Sequence, residues 1–315
     1  ASIFLYEYLE RGTFSHLTLA ISEKPARLIC ISFLGVILLG SFLLVLPVSL
    51  GPHQQASFLT ALFTATSAVC VTGLNVIDPG SYFSVFGQII VLLLIQIGGL
   101  GIMTLSAAVS MLLGKRSAMT QQSVMQNVLD QTDLASLKNL LWDIIFWTFA
   151  IEAAGAALLA SRFWSLSELP MGKAIYFGAF HSVSAFCNAG FALFPDSLMS
   201  FADDAVVNFT VMGLIVSGGI GFSVMGVLRA FMTGKQGSHR FDNHTFLVLS
   251  VTSVLIIVGA AAILLLESSG PAFQHLSFRG KVYAAFFQSI TTRTAGFSTV
   301  DMGLLSTPTI FIMIV

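Results

Sequence analysis

Long apolar runs separated by short polar breaks dominate the chain. Residues 27–47 form an apolar stretch that ends at Pro47. At roughly 1.5 Å per residue, such a helix covers a hydrocarbon core of about 30 Å. Further runs follow at 84–113, 139–163, 206–232 and 244–267, and another begins near 308. Each reads as one spanning helix, the run at 84–113 with a large tilt. Between them lie shorter apolar stretches at 57–70, 173–187 and 280–293. These are too short to cross a bilayer. They fit interfacial loops, or re-entrant helices that protein or a water cavity must surround.

Self-comparison favours the re-entrant reading. Three segments are variants of one phrase: TSAVCVTGL at 66–74, SVSAFCNAGF at 182–191 and SITTRTAGF at 289–297. Aligned on Gly73, Gly190 and Gly296, each has a small residue before the glycine and a bulky apolar residue after it. A second phrase follows the first two: QIGGLGI at 96–102 and SGGIGF at 217–222. Two linked phrases recurring in one order mark an internal repeat of long helix, short helix, glycine turn and long helix.

Composition says what solvent surrounds these helices. Hydrophobic residues make up 56% and charged residues only 9%. Soluble domains carry about 25% charged residues, so lipid must replace water over much of the surface. The net charge of -1 gives no reason to expect nucleic acid. Cys30, Cys70 and Cys187 lie in apolar stretches without a CxxC, which argues against a disulfide framework. Residues 1–26 mix charge and aromatics, so no cleavable signal peptide is expected there. Arg11, Lys24, Arg27, Lys115, Arg116, Lys138, Arg229, Lys235 and Arg240 sit before the first span or around the linkers. That bias makes the N-terminus and linkers cytoplasmic in a multi-pass protein of the cell membrane. The chain then divides into an N-terminal segment 1–26, a first unit 27–113, a linker 114–138, a second unit 139–232, a linker 233–243 and a third unit 244–315.

Short helices ending at glycine turns suit a dehydrated cation. Such an ion needs oxygens in place of its water, and backbone carbonyls around an axis can supply them. Glycine permits the unusual backbone angles required. A helix C-terminus aimed at the axis adds roughly half a negative charge. The candidate ion-binding backbone is Val71, Thr72, Gly73 and Leu74; Asn188, Ala189, Gly190 and Phe191; and Thr294, Ala295, Gly296 and Phe297. Leu74, Phe191 and Phe297 are expected to pack behind it as a stiff wall.

The sequence resembles the membrane subunit of the Ktr/Trk/HKT superfamily of K⁺ transporters, most closely the Ktr type. The resemblance rests on TATSAVCVTGLNV (64–76), FGQIIVLLLIQIGGLGIMT (86–104), FHSVSAFCNAGFALFPDSLMSF (180–201), SGGIGFSVMG (217–226) and FFQSITTRTAGFSTVD (286–301). It implies an all-α membrane protein of repeated outer helix–pore loop–inner helix units around a pseudo-four-fold pore. The fourth unit is absent from this sequence, which is expected to be incomplete. The resemblance also implies K⁺ uptake through a backbone-carbonyl filter, with or without Na⁺ dependence. It further implies pore subunits paired as homodimers on a cytosolic nucleotide-binding ring. K⁺ is then the transported ion, and any nucleotide acts only through the regulatory partner. Glycine at all three positions goes with K⁺ in that family, and serine in the first unit with Na⁺.

Several residues carry narrower expectations. Arg293, at the position of Cys70 and Cys187, is expected to support the filter, bracing the loop or pairing with Asp301. Glu152 is an intramembrane carboxylate, with Arg162 or a polar neighbour as partner. The paired glycines at 98–99 and 218–219 are expected to allow close helix packing, and Gly218→Ala to be milder than Gly190→Asp. Two alternatives remain open. A coupled secondary carrier also uses broken helices near the midplane. A hydrolase built on neighbouring His181 and Ser182 has no motif behind it, and no enzyme is expected.

Overall fold

A computed structural model of the chain describes residues 25–101, 134–166, 169–232 and 243–314. The expected N-terminal segment and both linkers fall largely outside them. The helices are α1 (Pro25–Val45), α2 (Phe58–Val69), α3 (Pro79–Tyr82), α4 (Val85–Leu100), α5 (Leu134–Leu166), α6 (Met171–Phe186), α7 (Ala205–Gly219), α8 (Phe222–Met232), α9 (Asn243–Glu267), α10 (Phe278–Thr291) and α11 (Thr307–Ile314). The described residues contain no strand, only an isolated antiparallel bridge between Leu50 and Phe83.

Two of the helical segments, Ile144–Leu166 and Asn243–Glu267, are long and apolar enough to cross a membrane. Their outward faces carry large apolar side chains, among them Phe246, Val254 and Leu265 on α9. Water would not tolerate so continuous an apolar face, and lipid does. Inside, the core gathers around the short helices, with Phe180, Phe191, Phe287 and Phe297 fully buried.

Packing follows one pattern three times. Long α1, α5 and α9 lie against short α2, α6 and α10 respectively. The next long helix closes the set, α4 on α2 and α7 on α6. Neighbouring sets touch through α4 with α6 and through α7 with α10.

The apolar run at 206–232 is not one helix, as the pattern predicts, but two. It breaks between α7 and α8 at Gly221, where φ is +85°. The run at 84–113 likewise ends its helix at Leu100, with Gly101 at φ +76°; its remainder lies outside the described residues. Both breaks fall on the third glycine of the GGxG phrase. Apolar side chains cannot hold a helix straight through a left-handed residue.

The first glycine of each phrase does something else. A methyl on Gly98 would overlap the carbonyl oxygen of Val69, the last residue of α2, and one on Gly218 would overlap that of Phe186, the last of α6. Helices α4 and α7 therefore admit the C-terminal carbonyls of α2 and α6 only because a side chain is missing. Gly218→Ala therefore carries a steric cost of its own.

The joints between outer and inner helices use three chemistries. Ser84 at the start of α4 donates to Val48 O at 2.6 Å. Arg162 near the end of α5 pairs with Asp204 at 2.6 Å, and Asp204 Oδ1 caps α7 by accepting from Val207 N at 2.8 Å. Glu267 at the end of α9 accepts from Ser306 N at 2.8 Å and Thr309 Oγ1 at 2.6 Å, fixing the start of α11.

Candidate functional site

The three glycine turns, far apart in sequence, meet. A methyl placed on Gly190 would lie 2.8 Å from Gly296 Cα and 2.8 Å from Ala295 O. One placed on Gly73 would lie 3.4 Å from Gly296 Cα and 3.1 Å from Ala189 O. The turns thus face each other backbone to backbone.

Each turn has the same backbone rhythm. φ is positive at Val71 (+55°) and Gly73 (+72°), at Asn188 (+57°) and Gly190 (+66°), and at Thr294 (+67°) and Gly296 (+77°). The residues between, Thr72, Ala189 and Ala295, stay on the ordinary negative side. An extended strand alternates its carbonyls between two faces. Alternating the sign of φ removes that alternation and lets successive carbonyls share a face. Val71, Asn188 and Thr294 bear this strain with side chains, at about 1–2 kcal/mol each, and two of them are β-branched.

The turns start where the short helices stop. Cys70 and Cys187 cap α2 and α6, and Thr292 caps α10. The third turn therefore holds one extra residue between helix and glycine, and Arg293 occupies that stretch. The backbone then folds onto the last helical turn: Thr72 N donates to Ser67 O at 3.0 Å, Ala189 N to Ser184 O at 2.8 Å and Ala295 N to Thr291 O at 2.9 Å.

Hydroxyls hold the far end of two turns. Ser184 Oγ donates to Phe191 O at 2.8 Å, and Thr291 Oγ1 to Phe297 O at 2.7 Å. In the first turn Thr72 Oγ1 donates to Ser67 Oγ at 2.9 Å instead. The carbonyls of Phe191 and Phe297 are thus engaged from the helix side. Those of Val71, Thr72, Gly73, Asn188, Ala189, Gly190, Thr294, Ala295 and Gly296 accept no hydrogen bond from the described residues. Nine turn carbonyls that accept no hydrogen bond from the described residues make a polar surface of the kind that suits a cation or water.

Phe191 and Phe297 pack behind the turns, 0% and 2% exposed. Leu74 does not join that wall, being 63% exposed. Among the described residues no element covers its side of the first turn. Past the glycines, a cavity of about 330 Å³ is bordered by Asp78, Gly190, Ser197, Gly296 and Ser298.

Arg293 and Asp301 are not paired. Arg293 donates to Thr252 Oγ1 on α9 at 3.0 Å, and Asp301 accepts from Gly303 N at 2.8 Å. Arg293 therefore braces its loop against the outer helix. Glu152 likewise does not reach Arg162, which Asp204 engages; its Oε1 accepts from Gln96 Nε2 at 3.0 Å. Asn188 Oδ1 is buried and has no hydrogen-bond partner among the described residues.

His181 sits within α6 as a satisfied core histidine. It is fully buried, and its ring lies among those of Phe163, Phe177, Phe180, Phe194 and Phe297. Nδ1 lies 2.7 Å from Phe177 O, and Leu193 N donates to Nε2 at 3.3 Å. The network assigns the neutral tautomer with its proton on Nδ1. His181 thus pins the chain just past the second turn. Its neighbour Ser182 donates to Glu152 O at 2.7 Å, so no His181–Ser182 couple forms.

Comparison with known proteins shows the family. The family model described as "TrkH: Cation transport protein" matches residues 29–315. The chain is 42% identical to Ktr system potassium uptake protein B of Vibrio alginolyticus, over 92% of this chain and 62% of that protein. It is 37% identical to the protein of the same name in Bacillus subtilis, over 91% of this chain and 63% of that one. Potassium/sodium uptake protein NtpJ of Enterococcus hirae is 34% identical, over 88% of this chain and 60% of that one. The chain thus spans about three fifths of the length of these relatives. Among solved structures, the potassium transporter TrkH from Vibrio parahaemolyticus superposes with a TM-score of 0.57 at 19% identity, covering 85% of this chain and 51% of that one, a likeness of fold. With residues 29–315 of its 315 matched by the family model, the chain belongs to the TrkH family of cation transport proteins.

Proposed function

We propose that the three glycine turns are walls of one cation filter and that the chain conducts K⁺ in a membrane uptake system. The observation that supports this reading is the set of nine carbonyls with no protein donors on turns that meet at their glycines. An ion entering the filter exchanges hydration water for these oxygens. Neutral carbonyls hold it weakly enough to let it go, which suits flux. The C-termini of α2, α6 and α10 point their partial negative charge at the same place. The glycines keep side chains out of the path.

In this reading each set of outer helix, short helix, turn and inner helix is one pore unit, and four such units close the ring. Asp78 at the cavity beyond the glycines raises the local cation concentration. The N-terminus and linkers face the cytoplasm. Pore subunits pair in the membrane, and a nucleotide-binding ring on the cytoplasmic side regulates them. The printed name of the Bacillus and Vibrio relatives, as part of a Ktr system, supports a multi-component assembly.

The test is ⁸⁶Rb⁺ uptake by the full-length protein in cells lacking other K⁺ uptake. Uptake should be displaced by K⁺ far better than by Na⁺, and Gly73→Ser should shrink that difference. Unchanged competition in Gly73→Ser counts against the filter. A second reading, a coupled carrier, draws on the breaks at Gly101 and Gly221. A fixed stoichiometry between Rb⁺ and a second ion would favour it.

A further inference from the structure

Glu152 breaks the repeat. Aligned on Gly40, Gly155 and Gly259, the three outer helices place Ile37, Glu152 and Ile256 at one position. The structure makes the second and third equivalent in detail. A methyl on Gly155 would meet Ser182 Oγ at 2.6 Å, and one on Gly259 would meet Ser289 Oγ at 2.5 Å. Those hydroxyls donate to the backbone carbonyls of Glu152 and Ile256, at 2.7 and 2.9 Å. Isoleucine in two units shows that packing alone does not require a carboxyl group.

The carboxyl is 4% exposed, and burying one is costly without partners. Its Oε1 takes the 3.0 Å hydrogen bond from Gln96, on inner helix α4 two residues before Gly98. Among the described residues its Oε2 has no hydrogen-bond partner. Cys187 Sγ lies 4.0 Å from both Gln96 Oε1 and Glu152 Oε1. Cys187 immediately precedes Asn188, the first left-handed residue of the second turn. By the same alignment, the boundary of the second and third units has Val216, Ile256 and Arg293 in place of Gln96, Glu152 and Cys187. Only the first boundary joins inner helix, outer helix and turn through neutral polar groups and a carboxyl.

We infer that Glu152 is a positioning residue for ion discrimination: by holding Gln96 it fixes α4 against Cys187 and so sets the carbonyls of the second turn. This rests on the filter reading above. The side chain touches no ion; it acts through Gln96 and the residue preceding the turn. Glutamine can still accept from Gln96, and isoleucine cannot.

The experiment measures, in the full-length protein, the ratio of Na⁺ to K⁺ needed to halve ⁸⁶Rb⁺ uptake. Glu152→Ile should lower that ratio about fivefold, the equivalent of one net hydrogen bond. Glu152→Gln should stay within about twofold of the parent, since the bond survives. Gln96→Leu should match Glu152→Ile, and the double variant should be no worse than either alone. If Glu152→Ile does not reach the membrane, Gln96→Leu carries the test. A parental ratio in Glu152→Ile or Gln96→Leu, equal losses in Glu152→Gln and Glu152→Ile, or additive losses in the double variant overturn the inference. Gly190→Ala is measured alongside. If it too keeps the parental ratio, the filter reading falls; if it alone loses discrimination, only the role of Glu152 falls.

Discussion

The first and second turns share a backbone but not an environment. Val71 and Gly73 have φ of +55° and +72°; Asn188 and Gly190 have +57° and +66°. Yet Leu74 is 63% exposed where Phe191 is 0%. The second turn lies between the other two. Its Phe191 carbonyl is tied to Ser184, and the chain beyond it to His181. The first turn is held only from its own short helix among the described residues, Thr72 by Ser67 and Val71 N by Ala68 O. Conformation is thus local, set by a helix end and a glycine, while rigidity is borrowed from neighbours.

Substitutions can break that comparison. Gly190→Ala combines a left-handed alanine, costing about 1–2 kcal/mol, with a methyl 2.8 Å from Gly296 Cα. It is expected to cut Rb⁺ uptake more than tenfold, against a few-fold for Gly73→Ala, from about 1.4 kcal/mol per decade. Equal losses would show that neighbours add nothing to the second turn.

Gly218→Ala pushes a methyl into Phe186 O, whereas at Gly213 on the same helix a methyl meets nothing within 4 Å. The first should destabilise the purified protein by about 1–3 kcal/mol. The second should stabilise it by about 0.5–1 kcal/mol. Thermal midpoints in detergent decide, and matching midpoints would undo the close-packing account of the GGxG phrase.

Ser184→Ala and Thr291→Val each release one carbonyl from its hydroxyl, a loss of about 1 kcal/mol. Competition of Na⁺ against Rb⁺ should sharpen several-fold in both. Ser67→Ala should do less, because Ser67 Oγ receives the Thr72 hydroxyl and touches no turn carbonyl. Ranking Ser67→Ala above the other two would reverse the comparison.

The smallest effect is expected at the joint of the second unit. The Arg162 side chain is 38% exposed beside Asp204, and exposed ion pairs contribute about 0.2–1 kcal/mol. Arg162→Leu should lower stability by no more than that, and added salt should erase the difference. A loss that persists in high salt would mean the pair acts as more than a surface contact.

Much of the site was legible because its chemistry repeats. Gly73, Gly190 and Gly296 stand in one phrase, and the structure gives all three positive φ. The residue two positions before each glycine is also left-handed, which valine, asparagine and threonine do not advertise. The GGxG phrases were readable as packing sites, but their third glycine, at which α4 and α7 end, was hidden inside apolar runs. Hydropathy averages over a window, and a single backbone angle does not change the average.

Partners were the least legible. The pairing of Arg293 with Asp301, eight residues away, looked natural along the chain. The fold instead brings up Thr252, 41 residues away, because α9 lies against α10. Glu152 finds Gln96, 56 residues away, for the same kind of reason.

The sequence by itself determined the solvent, the repeat and the three glycines at which the turns go left-handed. Those depend on side-chain apolarity and on glycine, which are local properties. Tertiary structure alone decided which turn is buried, which carbonyls are left without donors, and which polar groups meet inside the apolar core. Those depend on helices that pack side by side from distant stretches of chain, and in a low-dielectric interior a polar group is governed by whatever the fold places beside it.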